Sequence, residues 1–305
     1  MWFCLNKTKN RIAASRSLPS SLFISVAERQ YLSSACAYIN YYPNKGEIFQ
    51  EMELFLDKNL AISYTSQSQV ARILTEGWVE QEVFCPNCGN GIKSYANNKP
   101  VADFYCKKCS EDFELKSKKG KIGKKVSAGA YSKMIERLNS AQKPHFFFMG
   151  YLATLFVNDF FVVPKYFFVP EIIEKRKALA ESARRAGWVG SNILFSKIPS
   201  SGRIFYVENG REISKKDVLQ KWQKTAFLKK IKKPELKGWI LDTMNCIEAL
   251  GKKEFLLAEI YQFEKDLKKI HPENRNIRAK IRQQLQFLRN KGYLKFIEPG
   301  RYKLA

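Results

Sequence analysis

Two short cysteine pairs constrain this chain more than any other feature. Cys85-Pro86-Asn87-Cys88 and Cys106-Lys107-Lys108-Cys109 are separated by 17 residues. Each CxxC unit can place two thiolates on one ion, and two units complete a tetrahedron. Gly89 and the polar residues after each pair suit the tight turns this needs. A redox-active CxxC is the competing reading, but it has no use for a duplicate pair. Four thiolate ligands leave no position open for water, so the spacing predicts a structural zinc ion rather than a catalytic one. There are seven cysteines in all. An odd number with two close pairs favours metal binding in a reducing cytoplasm over a disulfide framework. Cys4, Cys36 and Cys246 stand alone and read as bystanders or core residues.

Charge points to the partner. The 305 residues are 45% hydrophobic, enough for two packed domains, and carry a net charge of +24. The excess is about +3 over residues 1–51, +13 over 52–231 and +8 over 232–305. It is therefore spread over the folded body. A field of that sign attracts polyanions, nucleic acid above all, although a ribosomal-type or merely adhesive surface would share it. No apolar run reaches the roughly 18 residues of a membrane span, and Leu18–Ala27 is short and interrupted. A cytoplasmic protein with no membrane and no obligatory protein partner is expected.

Residues 1–51 are rich in Ser, Asn, Ala and Tyr without clear periodicity. They read as an extension ahead of a natural start at Met52, or as a targeting segment. From Met52 to Ile231 helices and strands alternate. A helix is expected over Val70–Val79, and strands over Val101–Tyr105, Phe113–Lys116, His145–Tyr151, Phe156–Val163 and Ile204–Val207. That order predicts an α/β fold, a mixed sheet flanked by helices. Lys229–Pro234 reads as a linker. Beyond it, apolar residues at helical spacing mark three helices: Ile240 to Leu250, Leu257 to Leu267 and Ile277 to Leu288. Two short strands follow around Glu298-Pro299-Gly300-Arg301. Three helices and a terminal hairpin make a winged helix over residues 232–305.

Between and after the cysteine pairs lies a candidate metal site. Pro100-Val101-Ala102-Asp103 is followed, after ten residues, by Glu114-Leu115-Lys116. Two carboxylates on neighbouring strands can hold Mg²⁺, which keeps several waters and uses few protein ligands. Glu114 and Lys116 are two apart and share one strand face. Lys116 can orient a metal-bound water or stabilise developing charge. An ExK triplet also arises on ordinary exposed strands. The Asp after its Pro-x-x lead strengthens the metal reading. So does the run Lys116, Lys118, Lys119, Lys121, Lys124 and Lys125, a cationic loop suited to a DNA backbone. With only His145 and His271 present, a histidine-dependent nuclease site is hard to build.

Together these residues resemble the PD-(D/E)XK nuclease superfamily, and within it the DpnI-like methyl-directed (type IIM) restriction endonucleases. The likeness is carried by Ala71-Arg72-Ile73-Leu74-Thr75-Glu76, Cys85-Pro86-Asn87-Cys88-Gly89, Pro100–Cys106 and Phe113–Gly120. It continues through Ala183-Arg184-Arg185-Ala186-Gly187-Trp188 and Lys280-Ile281-Arg282-Gln283-Gln284-Leu285. It covers the chain from Met52 onward. The resemblance implies Asp103, Glu114 and Lys116 as catalytic residues, Asp103 and Glu114 as Mg²⁺ ligands, and Cys85, Cys88, Cys106 and Cys109 as zinc ligands. It further implies a nuclease domain over 52–231 and a C-terminal winged helix that also reads methylated DNA. The implied activity is cleavage of double-stranded DNA inside adenine-methylated GATC sites, leaving blunt ends.

Reading an N6-methyl group calls for an apolar or aromatic surface in the major groove. Trp188 is the candidate in the nuclease domain, with Arg184 and Arg185 for phosphate or guanine; a core Trp beside two surface arginines is the plainer alternative. Asn274–Lys291 carries six basic residues and no acid. Arg275, Arg278, Lys280, Arg282, Gln283 and Gln284 avoid most of its apolar face, so this helix can enter the major groove. Lys118 and Lys119, and Arg301 and Lys303 on the wing, are candidate phosphate contacts. A non-enzymatic zinc-containing winged-helix DNA-binding regulator is the other function these features allow.

Overall fold

A computed structural model describes residues 51–96, 102–140 and 143–305. The extension up to residue 50, the Leu18–Ala27 run, Cys4, Cys36 and the Pro100-Val101 lead lie outside the described residues. Glu51–Ala305 is one compact unit.

Helix α1 (Gln67–Glu82) exceeds the expected span and turns Leu74, Trp78 and Val79 inward. Strands β1 (Lys93–Ser94) and β2 (Phe104–Tyr105) come from the segment between the cysteine pairs, and β3 (Asp112–Lys119) follows the second pair. Then come β4 (Lys125–Ala130), α2 (Tyr131–Asn139), β5 (His145–Tyr151) and β6 (Val157–Val163). A hairpin of β7 (Ile173–Ala178) and β8 (Val189–Leu194) precedes β9 (Ile204–Glu208), β10 (Arg211–Glu212) and α3 (Lys215–Thr225).

The central sheet has the order β1-β2-β3-β5-β6-β9-β10. All its pairs are antiparallel except β3 with β5. The sequence of β5, His-Phe-Phe-Phe-Met-Gly-Tyr, has no polar alternation, and every residue of it is buried. Such a strand belongs in the middle of a sheet covered on both faces. Burying each Phe side chain contributes about 2 kcal/mol. Phe147 and Met149 face α1 and α3; Phe146 and Phe148 face the opposite core. A second sheet, β4-β8-β7, and α2 cover that opposite face, and the sequence reading had no place for them. The parallel pairing with β5 also corrects the lysine loop. Lys118 and Lys119 are drawn into β3 opposite Gly150 and Tyr151, Lys125 starts β4, and only residues 120–124 form a loop.

Leu228 and Ile231 of the segment Lys229–Pro234 and its approach are buried in the same core as Ile240, Met244 and Ile247. Helix α4 (Pro234–Ala249) follows, then β11 (Glu254–Leu256), α5 (Leu257–Tyr261), α6 (Glu264–Ile270), α7 (Ile277–Asn290), β12 (Leu294–Glu298) and β13 (Arg301–Leu304). The single helix expected over Leu257 to Leu267 is two helices. A tight turn, with Phe263 N–H on Ile260 C=O at 3.1 Å, keeps the apolar residues on the core side while breaking the α-helical ladder. The wing has three strands, ordered β11-β13-β12, because the exposed-buried-exposed Glu254–Leu256 pairs with Arg301–Lys303. Among the described residues no helix is long and apolar enough to cross a membrane.

Candidate active site and DNA-reading surfaces

The four cysteines converge as their spacing predicts. All four Sγ atoms lie within 4.8 Å of one another, with Cys85–Cys109 at 3.5 Å and Cys88–Cys106 at 3.4 Å. Thiolates about 2.3 Å from one ion in a tetrahedron would stand roughly 3.8 Å apart, so this cluster could hold a metal such as zinc. Two matching turns build it: Gly89 N–H donates to Cys85 C=O and Ser110 N–H to Cys106 C=O. Burial opposes the Cys88 thiolate, but hydrogen bonds from the backbone and side-chain N–H groups of Asn90 and from Cys106 and Cys109 together bring the thiol down to about 7. Burial pushes the deeper Cys85 thiol up.

Directly beside this cluster, β2 and β3 bring Asp103, Glu114 and Lys116 together. Asp103 precedes β2, and its N–H donates to Phe113 C=O at 2.9 Å. Its Oδ2 accepts the Leu115 N–H at 2.7 Å, which fixes the carboxylate against the middle of the ExK triplet. Burial raises the Asp103 pKa and the nearby Glu114 charge adds to it, against the Leu115 hydrogen bond. Glu114 and Lys116 share a face of β3 and form an ion pair.

Other groups at this site were not assigned roles from sequence. Arg137 of α2 reaches Oε2 of Glu114 at 2.5 Å, an ion-pair contact without hydrogen-bond alignment. On the other side, Arg72 and Glu76 of α1 pair at 2.8 Å, and the charges of both act on Asp103 or are felt from it. Burial raises the Glu76 pKa above its usual value, against the pull of Arg72. Met134 and Leu138, four apart and both buried, are the helical signal that could have located the helix carrying Arg137; the proximity of Arg137 to Glu114 is purely tertiary. Neither histidine is here. His145 is fully buried in a network around Glu111, and His271 stacks on Trp239 at 3.7 Å and bonds Asp242 at 2.8 Å.

The DNA-reading candidates fall on two surfaces. Arg184, Arg185 and Trp188 sit at the tip of the β7–β8 hairpin, where both arginines are exposed and the Arg185 guanidinium lies 5.1 Å from the Trp188 ring centre. Trp188 is only half-buried, so it is not a core residue. On α7, Arg275 just before it, Arg278, Arg282 and Gln283 are exposed, while Lys280 leans on Trp239. Gln284 departs from expectation: at 1% exposure it lies with Ile281, Leu285 and Leu288 on the inner face. Arg282 donates to the Tyr261 hydroxyl and Arg278 pairs with Glu264. Arg301 pairs with Glu298 and Lys303 with Glu254 on the wing.

The architecture is thus an α/β domain, a mixed sheet flanked by helices with a four-cysteine cluster at its edge, followed by a C-terminal helix-turn-helix domain with a wing. The chain belongs to the Dam-replacing family of DpnI type: that family matches residues 52–231, and its companion Dam-replacing HTH domain matches residues 235–304. Membership supports a methyl-dependent restriction endonuclease whose C-terminal helix-turn-helix domain binds DNA.

Proposed function

We propose that this protein hydrolyses both strands of DNA at adenine-methylated GATC sites in a Mg²⁺-dependent reaction that leaves blunt ends. The carrying observation is the hydrogen bond from Leu115 N–H to Asp103 Oδ2, which gathers Asp103, Glu114 and Lys116 at one place. Asp103 and Glu114 would hold the ion; hard carboxylate oxygens in a cationic surround fit Mg²⁺. The bound ion would supply Lewis-acid charge and an acidified water. Lys116 then orients the attacking water or stabilises charge on the phosphate, and its partner Glu114 keeps it in place. The zinc would be structural. Residues 52–231 act as the nuclease domain and 232–305 as the winged helix. Lys118, Lys119, Arg301 and Lys303 engage phosphates, Trp188 with Arg184 and Arg185 reads one groove face, and Arg275, Arg278, Lys280, Arg282 and Gln283 serve the recognition helix.

Digestion of one plasmid grown with and without adenine methylation tests the proposal. Cutting confined to the methylated form is expected; equal cutting of both rejects methyl dependence. One observation favours the regulator reading: Glu114 is already paired with Lys116 and Arg137, as a purely structural group would be. Lys116→Ala separates the two. A nuclease loses cutting by roughly a hundredfold or more while retaining binding. A wild type that cuts nothing with any divalent ion leaves only the regulator.

A further inference from the structure

The seat beneath Trp188 carries an inference about how methylated DNA is told from unmethylated DNA. It rests on the proposed role of Trp188 as a methyl reader. Trp188 does not hang freely from the hairpin tip. Its backbone is tied down on both sides: Trp188 N–H donates to Arg185 C=O at 3.1 Å, and Trp188 C=O accepts from Leu179 N–H at 3.0 Å. Gly187, at φ +74°, makes the turn that brings the chain back onto the hairpin, and its N–H donates to Leu179 C=O at 3.0 Å.

The indole then folds over the second residue after it in the chain. A Cβ on Gly190 would stand 2.7 Å from Cζ3 and 2.8 Å from Cη2 of Trp188, and 3.3 Å from Cδ of Arg176. Distances below 3.0 Å do not occur between a real Cβ and its neighbours, so the benzo edge of the ring occupies the space any other side chain would need. Gly190 has no positive φ; it pairs with Ala130 on the central strand of the three-stranded sheet, where the register with both β4 and β7 shifts. A glycine within a strand marks a bulge or a close approach of another group to the backbone; both occur here, and the approaching group is the ring.

We propose that Gly190 is a specificity-determining positioning residue. It lets the Trp188 indole lie down on β8, with the Arg185 guanidinium at its ring, as a preformed apolar platform for the N6-methyl group of adenine. The platform projects from a hairpin bearing Lys175, Arg176, Lys177, Arg184 and Arg185, cations that suit phosphates on either side of the base being read. Its orientation is already set in the unbound protein, so binding need not spend ordering entropy on a rotamer-rich side chain.

The test compares affinities for methylated and unmethylated duplexes of the same sequence, measured in Ca²⁺ with full-length protein. Gly190→Ala is expected to lower the ratio of the two affinities by roughly tenfold, on the scale of one lost base-edge contact. Generalised structural damage lowers the active fraction alike for both duplexes and leaves the ratio unmoved. Trp188→Phe lacks the two atoms that clash, so the pair Gly190→Ala/Trp188→Phe should recover the thermal stability that Gly190→Ala loses, a non-additive cycle. If Gly190→Ala does not fold, folding of the double variant still supports the seat, and failure of both overturns it. An unchanged affinity ratio in a folded Gly190→Ala protein overturns it as well. Trp188→Ala separates the two levels of the argument. If it leaves the ratio unchanged, the methyl-reading role itself is wrong. If it lowers the ratio while Gly190→Ala leaves it unchanged, only the seat is wrong.

Discussion

At the scale of single residues, backbone placement matters more than side-chain identity. Asp103 would be one of many surface carboxylates if its Oδ2 did not accept the Leu115 N–H. The ExK triplet was legible because strands put alternate residues on one face. Arg137, which reaches Glu114 from a helix 23 residues further on, was not, since no local pattern encodes a contact between α2 and β3. The reading of α7 was right about its exposed cations and wrong about Gln284, because a side chain at the border of a helical stripe is assigned by the neighbours it meets. Arg282 is exposed and anchored by Tyr261. If it bonds a base edge, Arg282→Ala costs about 1–3 kcal/mol on the cognate site and relaxes discrimination at one base pair. Equal weakening on all duplexes in a binding titration would assign it to phosphate instead.

At the scale of elements, the four-cysteine cluster and the strands that carry Asp103, Glu114 and Lys116 are one construction. Cys106 and Cys109 occupy the connection from β2 to β3, and Cys106 N–H donates to Glu111 C=O within it. Chelating the metal is therefore expected to reduce Mg²⁺-dependent cutting by roughly tenfold or more, although four thiolate ligands leave that ion no chemistry to do. Stripped protein, verified by metal analysis, that still cuts at the normal rate would sever this link. Glu111 adds a second tie that the sequence did not reveal. Its carboxylate accepts from His145 Nε2 at 2.9 Å, Lys165 Nζ at 2.8 Å and Lys229 Nζ at 2.6 Å, while His145 Nδ1 accepts the Lys165 N–H. Burial pushes His145 down to about 4 against the pull of Glu111. Its folded value thus lies below the unfolded one, near 6.5. The unfolded chain takes up the proton first as pH falls, so stability is full above about 6.5 and declines toward 4, by up to ~3 kcal/mol. Thermal melts across that interval check this, and His145→Gln should flatten the slope there.

At the scale of the whole molecule, one apolar core runs from Phe146 and Phe148 of the central sheet through Leu228 and Ile231 into Ile240, Ile281 and Leu288 of the winged helix. Glu248 of α4 accepts the backbone N–H groups of Ser200 and Ser201 across the same junction. Residues 51–305 are therefore expected to melt in a single transition. Ile240→Ala should lower that whole transition by about 3 kcal/mol, and an independent, unshifted nuclease melt in calorimetry would count against it. The basic balance, the four-cysteine cluster, the shared strand face of Glu114 and Lys116, most strands and the winged-helix pattern followed from the sequence itself, because spacing and periodicity are local. Tertiary packing alone decided that the lysine run would be drawn into β3 by a buried parallel neighbour. It also placed Arg137, Arg72 and Glu76 at the carboxylates and joined both parts of the chain in one core. Those outcomes depend on contacts between residues tens of positions apart, whose energies come from burial and charge in three dimensions and leave no period in the chain.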